Sequence, residues 1–286
     1  FFQTHAKLFY SSTRLYFLIN TSTISMAKIM AVINTTPDSF FDGGRYYSRE
    51  NALIRAEQAL NEGADMLDIG GASSRPGAQE VPADEELRRV IPAVEAIRQH
   101  FPQAVISVDT WRAVVAREAI SAGAHILNDI SAGSLDDKLL ATAAEMKVPY
   151  VLMHMQGTPA TMQQNPHYDD VVTEVLDYFI RKVEYLHTLG IYDIILDPGF
   201  GFGKTLEHNF TLLKNMHVFN RVLQLPLLAG LSRKSMICRT LGVKPEQALN
   251  GTTALNMVAL QQGASFLRVH DVREAVEVRK LFEALG

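Results

Sequence analysis

Ile194-Ile195-Leu196-Asp197-Pro198-Gly199-Phe200-Gly201-Phe202-Gly203-Lys204 is the stretch on which the fold turns. A short apolar run reads as a buried strand. An acid closes it, and a Pro/Gly-rich turn follows at once. A carboxylate at the end of a buried strand, ahead of a glycine loop, is how a barrel enzyme displays a catalytic or binding acid. The rest of the chain repeats the layout: an apolar strand, a polar residue at its end, a loop and then a helix.

Outward from that stretch, residues 29–33 run into Asn34, 65–69 into Gly70 and Gly71, 104–108 into Asp109, and 125–127 into Asn128 and Asp129. Residues 149–153 run into His154, 226–229 into Gly230, and 265–269 into His270 and Asp271. Helical patterns fall between them, over about 48–62 with Ser48 as N-cap, 83–99, 110–122, 135–146, 168–189, 206–216, 248–262 and 272–285. Gly63, Gly123, Gly190 and Gly263 mark helix ends. Strict alternation predicts parallel strands with helical crossovers. About eight such units in roughly 260 residues predict an α/β fold, a (β/α)8 TIM barrel as a single domain over residues 26–286. A doubly wound open sheet is the second choice, because it has no need for a polar residue at every strand end.

The composition agrees. The chain has 286 residues, 47% of them hydrophobic, enough for a sizeable core. A net charge of -4 offers no basic field for nucleic acid. The single cysteine, Cys238, excludes a disulfide framework within the chain and fits a reducing cytoplasm. No apolar run is long enough to span a membrane. Residues 1–25 lack Asp and Glu and are rich in Ser, Thr and aromatics, a composition resembling a transit peptide. The preferred reading is an extension ahead of a start at Met26.

In a barrel all strand C-termini open on one mouth, which predicts that Asn34, Arg75, Asp109, Asn128, Asp197, Lys234, Arg268 and His270 meet in one site. Asp109, Asn128 and Asp197 suit a flat heterocycle rich in N–H donors. Arg75, Arg268 and His270, with Ser74, suit an anion. Arg268 and His270 lie two positions apart on one strand face and read as an anion clamp. The expected ligand is a planar polar ring joined to a phosphate. Other motifs fail: a phosphate loop ending at Gly203-Lys204 requires glycine at Pro198, and the dinucleotide fingerprint has its third glycine one residue early. The nine histidines form no helical metal pair, and no Gly-x-Ser-x-Gly elbow surrounds Ser232 or Ser235.

Taken in order, Asn34-Thr35-Thr36-Pro37-Asp38-Ser39-Phe40, Ser73-Ser74-Arg75-Pro76-Gly77, Ser107-Val108-Asp109-Thr110, Leu127-Asn128-Asp129, Leu196–Phe202, Ser232-Arg233-Lys234-Ser235 and Arg268-Val269-His270-Asp271 resemble the dihydropteroate synthase family, the folate-pathway target of sulfonamides. The resemblance implies a transferase joining 6-hydroxymethyl-7,8-dihydropterin pyrophosphate to p-aminobenzoate, with sulfonamides as competitors. It implies a pterin site of Asp109, Asn128, Asp197 and Lys234. It implies a pyrophosphate site of Asn34, Ser74, Arg75, Arg268 and His270, with Mg2+ near Asn34. Pro37, Phe202, Lys234 and Ser235 would line the p-aminobenzoate pocket, and the loops bearing Asp38, Asp42 and Arg75 would close over it. Asp109, Asp197, Lys234 and Arg268 would carry the catalytic burden in a cytoplasmic homodimer. Two departures stand out. Ala72-Ser73-Ser74 replaces the usual Glu-Ser-Thr, and Phe41 precedes Asp42 where the family commonly has serine. A pterin-binding methyltransferase of the methyltetrahydrofolate type would use the acid-amide set but not the anion clamp. A catalytically silent barrel would be favoured by loss of the ring residues, none of which is lost.

Overall fold

The computed structural model describes residues 26–35, 45–72, 80–159 and 161–286. Expectations for Pro37, Asp38, Phe41, Asp42, Ser74 and Arg75 lie outside the described residues. The strands are β1 (Lys28–Asn34), β2 (Met66–Gly70), β3 (Val105–Asp109), β4 (Ile126–Asp129), β5 (Tyr150–Met153), β6 (Ile194–Asp197), β7 (Leu228–Ala229) and β8 (Phe266–Val269). The helices are α1 (Arg45–Glu62), α2 (Ala83–His100), α3 (Ala113–Ser121), α4 (Leu139–Met146), α5 (Val171–Thr188), α6 (Leu206–Lys214), α7 (His217–Leu223), α8 (Ser235–Leu241), α9 (Leu249–Gln261) and α10 (Val272–Ala284). All the strand pairs are parallel, in the order β6-β5-β4-β3-β2-β1-β8-β7. A bridge between Leu196 and Leu227 joins the two ends of the sheet and closes the barrel.

Alternation along the strands sorts every side chain to one of two places. The outward set includes Ile29, Ile33, Leu67, Ile69, Ile106, Val108, Tyr150, Leu196 and Leu267, packed in the core beneath the helices. The inward set begins with Met30, Met66, Val105, Ile126, Val151, Ile195, Leu228 and Phe266, one from each strand. These eight form an apolar floor across the barrel. Two residues further along each strand, the same inward direction is taken by Val32, Asp68, Ser107, Asn128, Met153, Asp197, Gly230 and Arg268. The polar layer therefore rests directly on the floor.

Several boundaries differ from the expectation. α1 starts at Arg45, so Ser48 is inside the helix rather than capping it; no Gly or Pro interrupts residues 45–48. α4 starts at Leu139 rather than near 135, because the Asp136 carboxylate is used elsewhere: it accepts from the Ala113 amide at 2.7 Å, at the start of α3. α7 and α8 have seven residues each, too few for a full amphipathic pattern, and were not anticipated. β7 is only two residues long, confined between Pro226, which lacks an N–H, and Gly230.

At the floor end, Asp65 joins the first strand to the last helix. Its Oδ2 accepts from the Ile29 amide at 2.8 Å and from Arg279 Nη1 at 2.6 Å, while Lys28 Nζ lies 3.3 Å from Oδ1. Arg279 is buried, so Asp65→Ala leaves its guanidinium with the more distant Glu283 carboxylate, 4.0 Å away, in place of the 2.6 Å contact. The variant should lose about 3 kcal/mol of stability, read as a lower midpoint of urea unfolding.

Candidate functional site

Asp109 and Asn128 are register partners at the ends of β3 and β4, so their side chains enter the mouth side by side. Asp68 lies beneath them on β2, completely buried. Its Oδ2 accepts from Asn128 Nδ2 at 2.9 Å and from Arg268 Nε at 2.6 Å. Arg268 Nη2 reaches Asp109 Oδ2 at 2.7 Å. One guanidinium from β8 thus bridges two carboxylates, and one of those carboxylates orients the amide. An ionised Asp68 can only accept, so it takes the NH2 group of Asn128 and leaves the amide oxygen as that residue's acceptor. Asp68 Oδ1 and Ser107 Oγ are buried without a hydrogen-bond partner. Both belong to the inward polar layer.

Arg268, expected to pair with His270 as an anion clamp, also makes contacts with two carboxylates. Alternation points both inward, but Arg268 belongs to the acid set because Asp68 and Asp109 hold its head there. His270 is held at the rim by Ser232, whose Oγ is 3.2 Å from the His270 amide and 3.1 Å from Nδ1. That hydroxyl accepts from the amide and pairs with Nδ1.

Asp197 closes β6, and its Oδ1 accepts from the Gly199 amide at 2.7 Å. Gly199 has φ +68, and a Cβ there would lie 2.0 Å from the His154 carbonyl oxygen. Only glycine fits, which is why the loop can turn so sharply beside the acid. Lys234 enters from the β7–α8 connection. Arg233 adopts a left-handed φ of 57 and is anchored to Asp271 by contacts of 3.0 and 2.5 Å. That turn aims Lys234 across Gly230 into the mouth. Its ammonium donates to the Phe200 carbonyl and lies 4.9 Å from the centre of the Phe202 ring. Asn34 is exposed at the end of β1, and Ser235 is exposed in the first turn of α8.

Burial shapes the electrostatics. It pushes the Asp109 carboxyl up to about 7, Arg268 pulling it down and Asp68 pushing it further up. Asp197 is likewise raised by burial, against the pull of Lys234. Burial brings the Lys234 ammonium down to about 8, opposed by Asp197. Arg268 is raised above an ordinary guanidinium: burial works against its charge, and Asp68 and Asp109 outweigh it. The site thus holds one carboxyl, Asp109, and one ammonium, Lys234, that titrate near neutral pH, with a second carboxyl raised by burial in Asp197 and a permanent cation in Arg268. Such a set can accept N–H donors from a flat ring and stabilise positive charge on it.

Residues 30–270 match the family described as pterin binding enzyme. The dihydropteroate synthase of Escherichia coli strain K12 is 49% identical over 263 residues, covering 91% of this chain and 92% of that one. The Yersinia pestis dihydropteroate synthase, solved as a sulfonamide drug complex, superposes with a TM-score of 0.86 at 45% identity, covering 91% of this chain and 94% of that one. The Xanthomonas albilineans enzyme, solved with 7,8-dihydropteroate, gives 0.82 at 39% identity over 92% and 95%.

The chain belongs to the dihydropteroate synthase family.

In this member of the dihydropteroate synthases the sequence reading missed Asp68. The reading followed strand ends, and Asp68 stands two residues before its strand ends. The usable signal was an acid inside the otherwise apolar stretch Met66-Leu67-Asp68-Ile69, since a buried charge requires partners. Because Asp68 raises the Asp109 carboxyl, Asp68→Asn should bring its titration below about 7, measured by carboxyl carbon NMR. A raised carboxyl binds protons more tightly in the folded chain. Asp109 therefore withdraws stability as pH rises from about 4 to about 7, and that loss should be smaller in Asp68→Asn.

Proposed function

We infer that this chain joins 6-hydroxymethyl-7,8-dihydropterin pyrophosphate to p-aminobenzoate, giving 7,8-dihydropteroate and pyrophosphate. The observation that carries the reading is the acid-amide set of Asp109, Asn128 and Asp197 under Lys234 and Arg268, on a chain with such close dihydropteroate synthase relatives. The carboxylates and the Asn128 oxygen accept the N–H groups of the pterin. Lys234 donates to its ring acceptors, and Arg268 covers the acid side. Asn34 and His270, with Ser74 and Arg75, take the pyrophosphate. Phe202, Lys234 and Ser235 line the amine pocket.

The C–O bond to pyrophosphate breaks first, its electron pair leaving with the phosphate. Ionised Asp109 and Asp197 favour the resulting pterin cation. The uncharged aromatic amine needs positioning more than activation; its lone pair forms the C–N bond and it then gives up a proton to solvent. Magnesium fits one end of this site. Among the described residues no three His, Cys, Asp or Glu side chains gather as a metal cage. Asn34 offers one exposed amide oxygen, and Mg2+ commonly takes few protein ligands and several phosphate oxygens. Held by Asn34 and the pyrophosphate, the ion would neutralise charge on the leaving group. Among the described residues no helix is long and apolar enough to cross a membrane. The family resemblance also supports a cytoplasmic homodimer and competition by sulfonamides.

Purified protein with the pterin pyrophosphate and Mg2+ should release pyrophosphate only when p-aminobenzoate is added, with dihydropteroate formed. No release from folded protein overturns the reading. Lys234→Met should lower kcat/KM by about 100-fold. The pH dependence of kcat/KM should be bell-shaped, rising as Asp109 ionises near 7 and falling as Lys234 loses its proton near 8. A profile that stays flat from about pH 5 to about pH 10 would remove both groups from the chemistry.

A further inference from the structure

Lys204 has no part in the chemistry above, yet it is buried to 3% exposure beside the site. Its ammonium contacts His154 Nδ1 at 2.9 Å, the His154 carbonyl at 3.2 Å, the Gly199 carbonyl at 3.0 Å and the Phe202 carbonyl at 2.9 Å. Three carbonyls and one ring nitrogen converge on one amine at the centre of the β6–α6 loop. His154 is held neutral: burial and the neighbouring Lys204 charge bring it down to about 2. Its Nδ1 faces the Lys204 nitrogen. The ring packs edge-on against Tyr178, with centroids 4.8 Å apart, which fixes its plane.

The loop that Lys204 holds is the surface on which the mouth of the site is laid. Each carbonyl from Gly199 to Gly203 meets a side-chain donor. Lys204 takes those of Gly199 and Phe202, Lys234 takes Phe200, Gln163 takes Gly201 at 2.6 Å, and Tyr168 takes Gly203 at 2.8 Å. Lys234 thus finds its place through Phe200, and Phe202 presents its ring to Lys234 from the residue whose carbonyl Lys204 grips. Asp197 is supported by the Gly199 amide, one atom group away from the same grip. Burial holds the Lys204 amine well below an ordinary lysine, against the pull of Asp197, and the buried nitrogen works here as an internal clip, drawing backbone oxygens inward and turning the two phenylalanines and the Lys234 contact into fixed positions.

We propose that Lys204, oriented by His154, is a positioning residue for the amine half of the site, setting Phe202 and Lys234 for p-aminobenzoate. The inference rests on the proposed reaction. In the pterin half, Asp109, Asn128 and Arg268 are held with Asp68 on other strands, so only its Asp197 and Lys234 contacts meet the loop, whereas the amine half lies on the loop itself. Loss of the clip therefore acts unequally on the two substrates.

Lys204→Met keeps the length of the side chain and removes the donor nitrogen. With folding checked by circular dichroism, its Kd for the pterin pyrophosphate should stay within about 3-fold, while KM for p-aminobenzoate and the sulfonamide inhibition constant rise by about 10-fold or more. The Phe202 amide, which donates to the Gly199 carbonyl at 3.0 Å, should exchange its hydrogen faster than in the parent. Equal losses for both substrates, or an unchanged amine KM, would overturn the proposal. If Lys204→Met does not fold, His154→Leu should give the same selective rise and His154→Asn, which restores an acceptor, should recover most of it; no difference between the two overturns it. A parent enzyme that forms no dihydropteroate refutes the reaction instead, and the exchange comparison then decides the loop clip by itself.

Discussion

The apolar floor of the barrel constrains everything above it. Met30, Met66, Val105, Ile126, Val151, Ile195, Leu228 and Phe266 exclude water from below the polar layer. A carboxylate on that floor cannot rely on solvent from beneath, so its charge must be met by protein. Asp68 shows the result: completely buried, it is met by Arg268 and by the Asn128 amide. Arg268 then has a second nitrogen to give to Asp109. The site is thus a small electrostatic structure on a dry base, and its carboxyls ride well above their usual range for the same reason.

That base explains how two substrates of different character share one mouth. The strands β2, β3, β4 and β8 form a rigid acid-amide wall whose members are set by parallel register. The opposite side is set by loops. Glycines allow the β6–α6 turn to pass close to His154, and buried donors pin its carbonyls. A flat, hydrogen-bond-rich ring suits the wall made of strands. An aromatic amine suits the loop side, where Phe202 and Lys234 offer a ring face and a cation.

Much of this was legible from residues alone. The repeated pattern of apolar run, polar end and helix led to the eight-stranded barrel and to Asp109, Asn128, Asp197 and Lys234, all of which the structure gathers at one mouth. Strand-end reading works because the strands all point the same way. It fails where the packing lies deeper: Asp68 is inside its strand, and the carboxylate partners of Arg268 come from two other strands. Short helices were also missed, since seven residues in α7 or α8 carry too little periodicity to read.

The sequence by itself determined the fold class, the direction of the strands and the residue types at the mouth, because these follow from local periodicity and from the chemistry at each strand end. Tertiary structure alone decided the partnerships. Asp68 and Arg268 are 200 residues apart, and Lys204 and His154 are 50 apart. No local pattern encodes such pairs. They exist because closing the barrel sets β8 against β1 and lets inward side chains from distant strands compete for one buried space, where each charge must find a partner or remain unpaid for its lost hydration.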